Sequence, residues 1–420
     1  MNINQYKLEI NAIAKQIWSR IPFYKIPFYL FEQKINPVTV NSQPMLIQWA
    51  KDYYESTVNN QNENEDTETS KLKAKYYNFF SDKKLVFFIK VPLRSQSPGV
   101  FSLFTNLIET LQYMGIQVFP FENFAALQNL FTHQIPHVIL TGNEQMYIKD
   151  WQWDVLRNLK NEYSFAVGLT LFTNEEGTNN PLEKRLSIAK KNGVDFYFSW
   201  CDKTYINYSE AYQVYRDFNY PIFFLSQGAN LLRFQPVTLP IKKDLDYIFL
   251  GSYNHMEYIK YFSNIFQNFT GFIGGMGWSR FNWVPNHLHA YLYARAKVGL
   301  NINGEGQRKW ASEITERTYI LAAAGIPQIT DNTPLLQSVF GPNEIFVAGS
   351  PGEYDSLFKY ILKNPELAAD YAERAKKRIL NGYTTFHRAE IFVEDLIKNL
   401  KIGNQKFTLQ TELSNTFDTP

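Results

Sequence analysis

Eleven short, unbroken apolar runs dominate the chain from residue 85 onward, each separated from the next by ten or more residues of amphipathic sequence. A strand buried on both faces reads as a continuous apolar run, and parallel strands need long crossovers that are usually helical. The alternation therefore predicts parallel sheets covered by helices on both sides. The first six runs are LVFFIKV (85–91), IQVFPF (116–121), HVILTG (137–142), FAVGLTLF (165–172), VDFYFSW (194–200) and PIFFLS (221–226). Between the first two, FSLFTNLIETLQYMG (101–115) repeats apolar residues at three- and four-residue steps and stops at Gly115.

The rhythm breaks at LLRFQPVTLPIKKD (231–244), which carries two prolines and a basic run, and then restarts with DYIFLGS (246–252), TGFIGG (270–275), AKVGLNIN (296–303), GIPQITD (325–331) and EIFVAG (344–349). The expected fold class is α/β, with two Rossmann-like, doubly wound parallel-sheet domains facing a cleft and a mainly helical N-terminal extension. The expected boundaries are 1–80 for the extension, 81–238 for the first domain and 239–383 for the second. The helix 384–400 is expected to cross back onto the first domain, and 401–420 to form a tail. Within the extension, STVNNQNENEDTETS (56–70) has Val58 as its one apolar residue and is expected to be a mobile loop.

Composition removes several classes of function. Lys and Arg number 42 against 40 Asp and Glu, a formal charge of +2, so the chain lacks the basic surplus of a nucleic-acid-coating protein. Cys201 is the single cysteine, which excludes intrachain disulfides and Cys-based zinc cages and favours a reducing compartment. MNINQYKLEI is no secretory leader, and Lys25 and two prolines interrupt IPFYKIPFYLF (21–31), so a cytoplasmic chain without a membrane span is expected.

Open parallel sheets bind ligands outside the carboxyl ends of their strands. The polar residues there are Arg94 to Gly99, Gly142 to Glu144, Thr173 to Gly177 and Cys201 to Lys203 in the first domain. In the second they are Ser252 to His255, Gly274 to Arg280, Asn303 to Lys309 and Asp331 to Thr333. The most informative stretch is NINGEGQRKWASEITERTYILAAAGIPQITDN (301–332), a strand, a glycine-containing loop with Arg308 and Lys309, and then a helix with Ser312 as candidate N-cap and Gly325 as its C′ residue. A helix N-terminus beside glycines and cations can hold a diphosphate without a metal, the alternative being a solvated basic face.

The same stretch, continued through FGPNE (340–344) and YTTFHR (383–388), resembles the C-terminal domain of GT-B glycosyltransferases of group 1, most closely the CgeB-like branch. Arg317, Tyr319, Ala322 to Gly325, Thr330, Asp331 and Arg388 carry the likeness, and LSQGANLLRFQP (225–236) is similar to the family's hinge motif. Two departures stand out. Ile320 occupies the place of the family's ribose-gripping Glu, leaving Glu313 or Glu316 as substitutes, and GSYNHME (251–257) lacks the usual basic residue after the first strand.

The resemblance implies a glycosyltransferase that moves a sugar from a nucleotide-sugar donor, bound mainly by the second domain, to a glycan, lipid-linked or protein acceptor bound mainly by the first. No nucleic-acid partner, metal or other cofactor is expected. Donor binding is expected from Ser252, Tyr253, Gly274, Trp278, Arg280, Asn303, Arg308, Lys309, Glu316, Arg317 and Asp331, with Trp278 as the residue to stack on a base or sugar. Acceptor binding is expected from Gly99, Asn143 and Asp202, and the base of an inverting reaction from Glu175, Glu176 or Glu144. The weaker readings are a nucleotide-sugar epimerase of the same fold, a phosphorylase, and a non-enzymatic bilobal binding protein. His255, His287 and His289 make a poor metal cluster, and Asp244-Leu245-Asp246 precedes its strand and reads as a charged strand start instead of a metal motif.

Overall fold

The computed structural model describes residues 31–59, 67–92, 98–142, 153–171, 181–234, 237, 241–252, 257–278, 280–304, 307–308 and 313–402. Each of the eleven apolar runs forms a strand. The first six are β1 (Val86–Lys90), β2 (Gln117–Phe121), β3 (Val138–Thr141), β4 (Ala166–Thr170), β5 (Phe196–Ser199) and β6 (Ile222–Phe224). They form one parallel sheet of order β2-β1-β3-β4-β5-β6. The remaining five, β7 (Leu245–Leu250), β8 (Gly271–Gly274), β9 (Ala296–Leu300), β10 (Gln328–Asp331) and β11 (Phe346–Ala348), form a second of order β11-β10-β9-β7-β8. The chain thus folds into two Rossmann-like α/β domains.

By contacts the chain divides into two compact units, one of Lys75–Ser226 with the chain from Phe386, and one of the N-terminal residues to Ala74 with Gln227–Thr385. In the first, Val86, Phe88, Ile139, Val167 and Tyr197 of the central strands pack with Leu127, Leu156 and Leu186 of the covering helices. The helix Pro98–Tyr113 follows the predicted amphipathic stretch, and Gly115 at φ +88° turns the chain into β2. The C-terminal helix Thr385–Leu400 buries Phe386, Phe392 and Leu396 in this unit, with Phe392 against Phe198 of β5.

In the second unit Tyr247, Phe249 and Val298 face one layer of helices, and Ile248, Leu250 and Phe272 face the other. The N-terminal helix Pro37–Asn59 belongs to this unit: Leu46 and Ala50 pack beside Ile248 and Leu292, and Thr39 Oγ1 accepts the N–H of Gly271 at 3.0 Å. It thereby covers the edge strand β8, whose unpaired backbone groups would otherwise template association. The polar stretch expected as a loop over 56–70 is helical at both ends, since one helix runs to Asn59 and the next spans Thr67–Tyr76. A polar sequence continues a helix whose earlier turns are docked, and Glu68 in the first turn complements the helix dipole.

Among the described residues no helix is long and apolar enough to cross a membrane.

Candidate functional site at the carboxyl edge of the second sheet

Four strand ends converge here. Gly251 N–H donates to the Gly274 carbonyl at 2.8 Å, tying the end of β7 to the end of β8. A Cβ on Gly275, at φ +144°, would overlap the Gly251 carbonyl, so glycine is required where the two strand ends touch. β9 continues into Asn301, whose N–H donates to the Ile329 carbonyl at 2.9 Å, and then into Asn303 and Gly304.

The helix Glu316–Ala323 starts at this edge. Its N-cap is Thr315, not Ser312, which lies outside the described residues. Thr315 makes no side-chain cap because its Oγ1 is engaged with Asn301 Oδ1 at 3.2 Å and Thr318 Oγ1 at 3.1 Å. Gly325, at φ +68°, ends the helix as the sequence suggests.

Arg317 projects from the first turn. Its Nε donates to the Leu250 carbonyl at 2.8 Å, its Nη1 to Asn301 Oδ1 at 3.1 Å, and its guanidinium carbon lies 4.5 Å from the centre of the Phe249 ring. The remaining nitrogen, Nη2, lies where a Cβ on Gly251 would overlap it, and among the described residues it has no hydrogen-bond acceptor. Two bonds and a ring face thus fix a cation at the end of β7 and leave part of its donor fork uncommitted.

A second cluster lies beside it. Asp331, at the end of β10, accepts the Asn303 N–H at 2.7 Å, Asn303 Nδ2 at 2.9 Å and Arg308 Nη1 at 2.8 Å. Arg308 Nη2 donates to Glu257 at 3.0 Å, and Lys260, with Arg308 beside it, holds the Glu257 carboxyl below its ordinary range. Glu313 accepts from Gln307 Nε2 and Gln227 Nε2, both at 2.9 Å, while burial pushes its pKa up.

Residues 261–394 match the profile of the glycosyl transferase-like family. The chain carries a glycosyltransferase domain on a GT-B fold. Among solved structures, the glycosyltransferase from Rickettsia africae ESF-5 superposes with a TM-score of 0.53 at 12% identity, over 76% of this chain and 99% of that one. An alpha-glucosyltransferase solved with UDP-glucose and DNA containing an abasic site gives 0.50 at 11%, over 76% and 99%. At such identities these likenesses establish the fold alone. A comparison with curated protein sequences found no match.

In the second unit the structure brings Ser252, Gly274, Asn303, Arg308, Glu316, Arg317 and Asp331 to one edge of one sheet, but it gives them unequal parts. Arg308, expected as a diphosphate ligand, is ion-paired to both Asp331 and Glu257, and Asn303 and Asp331 bond to each other. Their charge is spent on bracing the strand ends. Trp278, expected to stack on a ligand, is 7% exposed among Phe249, Tyr258, Phe266 and Phe281, with Nε1 donating to the Gly251 carbonyl at 3.0 Å. An indole whose faces are packed and whose N–H is bonded is a core residue. Arg280 donates its backbone N–H to Glu32 Oε2 at 3.2 Å and Nη1 to the Glu32 carbonyl at 3.1 Å, a partner invisible from the sequence. Ile320, in place of the family's Glu, is buried with Leu250 and Leu321.

In the other unit Asp202 caps the helix Lys203–Tyr208 by accepting the Thr204 N–H at 2.8 Å, and Gly99 starts a helix with open space where a Cβ would stand. Tyr253, Lys309, Asn143, Glu144, Glu175 and Glu176 lie outside the described residues. Asp244 pairs with Arg295, and Asp246 with Lys297 at 2.8 Å, both at the amino end of the second sheet, away from the carboxyl edge.

His289 is half-buried, with Nε2 3.0 Å from the Val284 carbonyl, and desolvation holds its pKa down at about 4. The unfolded imidazole, near 6.5, binds a proton at pH values where the folded one does not, so this contribution is full above that value and lost as pH falls. The loss approaches about 3 kcal/mol near pH 4. Thermal melts should fall over that interval in the wild type and fall less steeply in His289→Gln; parallel pH profiles would remove His289 as the cause.

Proposed function

We propose that the chain transfers a sugar from a nucleotide-sugar donor to a hydroxyl-bearing acceptor without a metal. The observation that carries this reading is Arg317, fixed at the carboxyl end of β7 on the first turn of a helix, with Nη2 turned to the Gly251 backbone. Breaking a glycosyl phosphate bond develops negative charge on the departing diphosphate and positive charge on the sugar. A cation held before substrate arrives, beside a positive helix terminus, stabilises that charge more in the transition state than in the ground state.

The donor is assigned to the second unit, and UDP-glucose, present in one of the similar structures, is the first compound to try. Within the class we favour the CgeB-like branch, on the motifs around Arg317 and Tyr383. The acceptor, a glycan, a lipid-linked sugar or a protein, is assigned to the carboxyl edge of the first sheet, with Glu175, Glu176 or Glu144 as base if the reaction inverts. Cytoplasmic action fits a chain whose one cysteine stays a free thiol.

The test is nucleoside diphosphate release from UDP-, GDP- and dTDP-sugars, with and without EDTA. Release that persists in EDTA is expected. Abolition by EDTA would overturn the metal-free mechanism, an epimerised sugar without any acceptor would make the chain an epimerase, and tight binding with no turnover would make it a receptor.

A further inference from the structure

We infer that Glu32, far from the second domain in sequence, is a positioning residue for the donor site. The inference rests on the nucleotide-sugar reading above. Glu32 is 2% exposed, and its carboxylate and carbonyl hold the backbone N–H and Nη1 of Arg280. Its neighbours are anchored in the same place: Phe31 stacks on Phe266 with ring centres 5.9 Å apart, and Asn36 N–H donates to the Phe266 carbonyl at 2.8 Å. Ile35 shares a core with Trp278 and Phe281, which flank Arg280 in sequence.

From Arg280 the connection continues to the site. Trp278 Nε1 bonds the Gly251 carbonyl, and Gly275 packs so closely on Gly251 that no side chain fits between them. Gly251 in turn faces Nη2 of Arg317. Each link is buried or bonded, so the N-terminal segment sets where the end of β8 lies and hence the space beside the arginine. A displacement of about 1 Å at such a site costs up to a hundredfold in function. Arg280 therefore acts through its backbone, as the grip by which Glu32 holds this turn.

The experiment measures UDP, GDP and dTDP affinity and thermal stability of the full chain in four variants. Glu32→Ala is expected to weaken nucleotide binding about tenfold or more while the protein stays folded. Glu32→Gln, which keeps an acceptor oxygen, should recover most of the affinity, and Arg280→Ala, which keeps the backbone N–H, should lose little. Glu32→Asn, whose acceptor falls one methylene short, reads the same displacement if Glu32→Ala does not fold. Wild-type affinity in Glu32→Ala would overturn the inference. So would a large loss in Arg280→Ala alone, which would make Arg280 a direct ligand, or loss of binding only in step with loss of fold. Failure of the wild type to bind any nucleotide would instead strike at the nucleotide-sugar reading itself.

Discussion

Arg317→Ala should lose nucleotide affinity by about tenfold to a hundredfold, the scale of one charge-assisted hydrogen bond of 1.5–3 kcal/mol. Stability should fall by a comparable free energy, small enough to leave the domain folded. The substitution also removes the bond to the Leu250 carbonyl, the bond to Asn301 and the contact with Phe249. These half-buried contacts pair the cation with neutral acceptors and a ring face, and because the partner carbonyls can turn to water at a strand end their net loss is about 2 kcal/mol together. A loss of about 2 kcal/mol corresponds to roughly 4–8 °C in a domain of this size. Arg317→Lys separates the roles further, because lysine keeps the charge and gives up the planar fork. It should bind nucleotide more weakly than wild type and more tightly than alanine. Titration calorimetry with UDP beside thermal melts decides: an unchanged affinity with a lowered melting temperature would leave Arg317 a brace for β7 and remove the main support for a diphosphate site.

The strands were legible because a doubly buried strand must be apolar along its whole length, so each of the eleven runs announces itself locally. The helix end at Gly325 was legible for a similar reason, since a left-handed residue after a helix selects glycine. Polar residues give no such signal, because their role depends on partners distant in sequence. Arg308 reads as a free cation beside glycines until the fold brings Asp331 and Glu257 to it, from 23 and 51 positions away. Arg280 meets Glu32 across 248 positions. Trp278 follows a glycine-rich turn and invites a stacking role, yet all but one of the aromatic residues that enclose it come from β7 and the helix Glu257–Asn268. The place of residues 31–59 was hidden in the same way: Ile47, Trp49 and Tyr53 signal a surface to be covered, but the surface they meet is built by residues far later in the chain, from Phe234 to Ile326.

Asp331→Ala should be among the most destabilising single changes in the second unit, at about 3 kcal/mol, because it strips a buried acceptor from Asn303 and one of two partners from Arg308. The Asp331 side chain is 1% exposed, and its two oxygens accept from Asn303 twice and from Arg308. Removing the carboxylate leaves the Asn303 N–H facing a void and Arg308 with only the partly exposed Glu257 to answer its charge. Asp331→Asn tests which loss matters more. An amide oxygen can still accept from Asn303, whereas the amide nitrogen opposes Arg308, so the cost should fall to about half if the backbone bond dominates. The comparison also separates a brace from a ligand. If Asp331 gripped a donor hydroxyl, Asp331→Asn would impair donor affinity while stability held. A brace predicts the reverse order, with stability falling first and affinity following only as the ends of β9 and β10 loosen. Urea unfolding of the two variants beside UDP titrations distinguishes them, and a stable Asp331→Asn protein with strongly weakened nucleotide binding would return Asp331 to the ligand set.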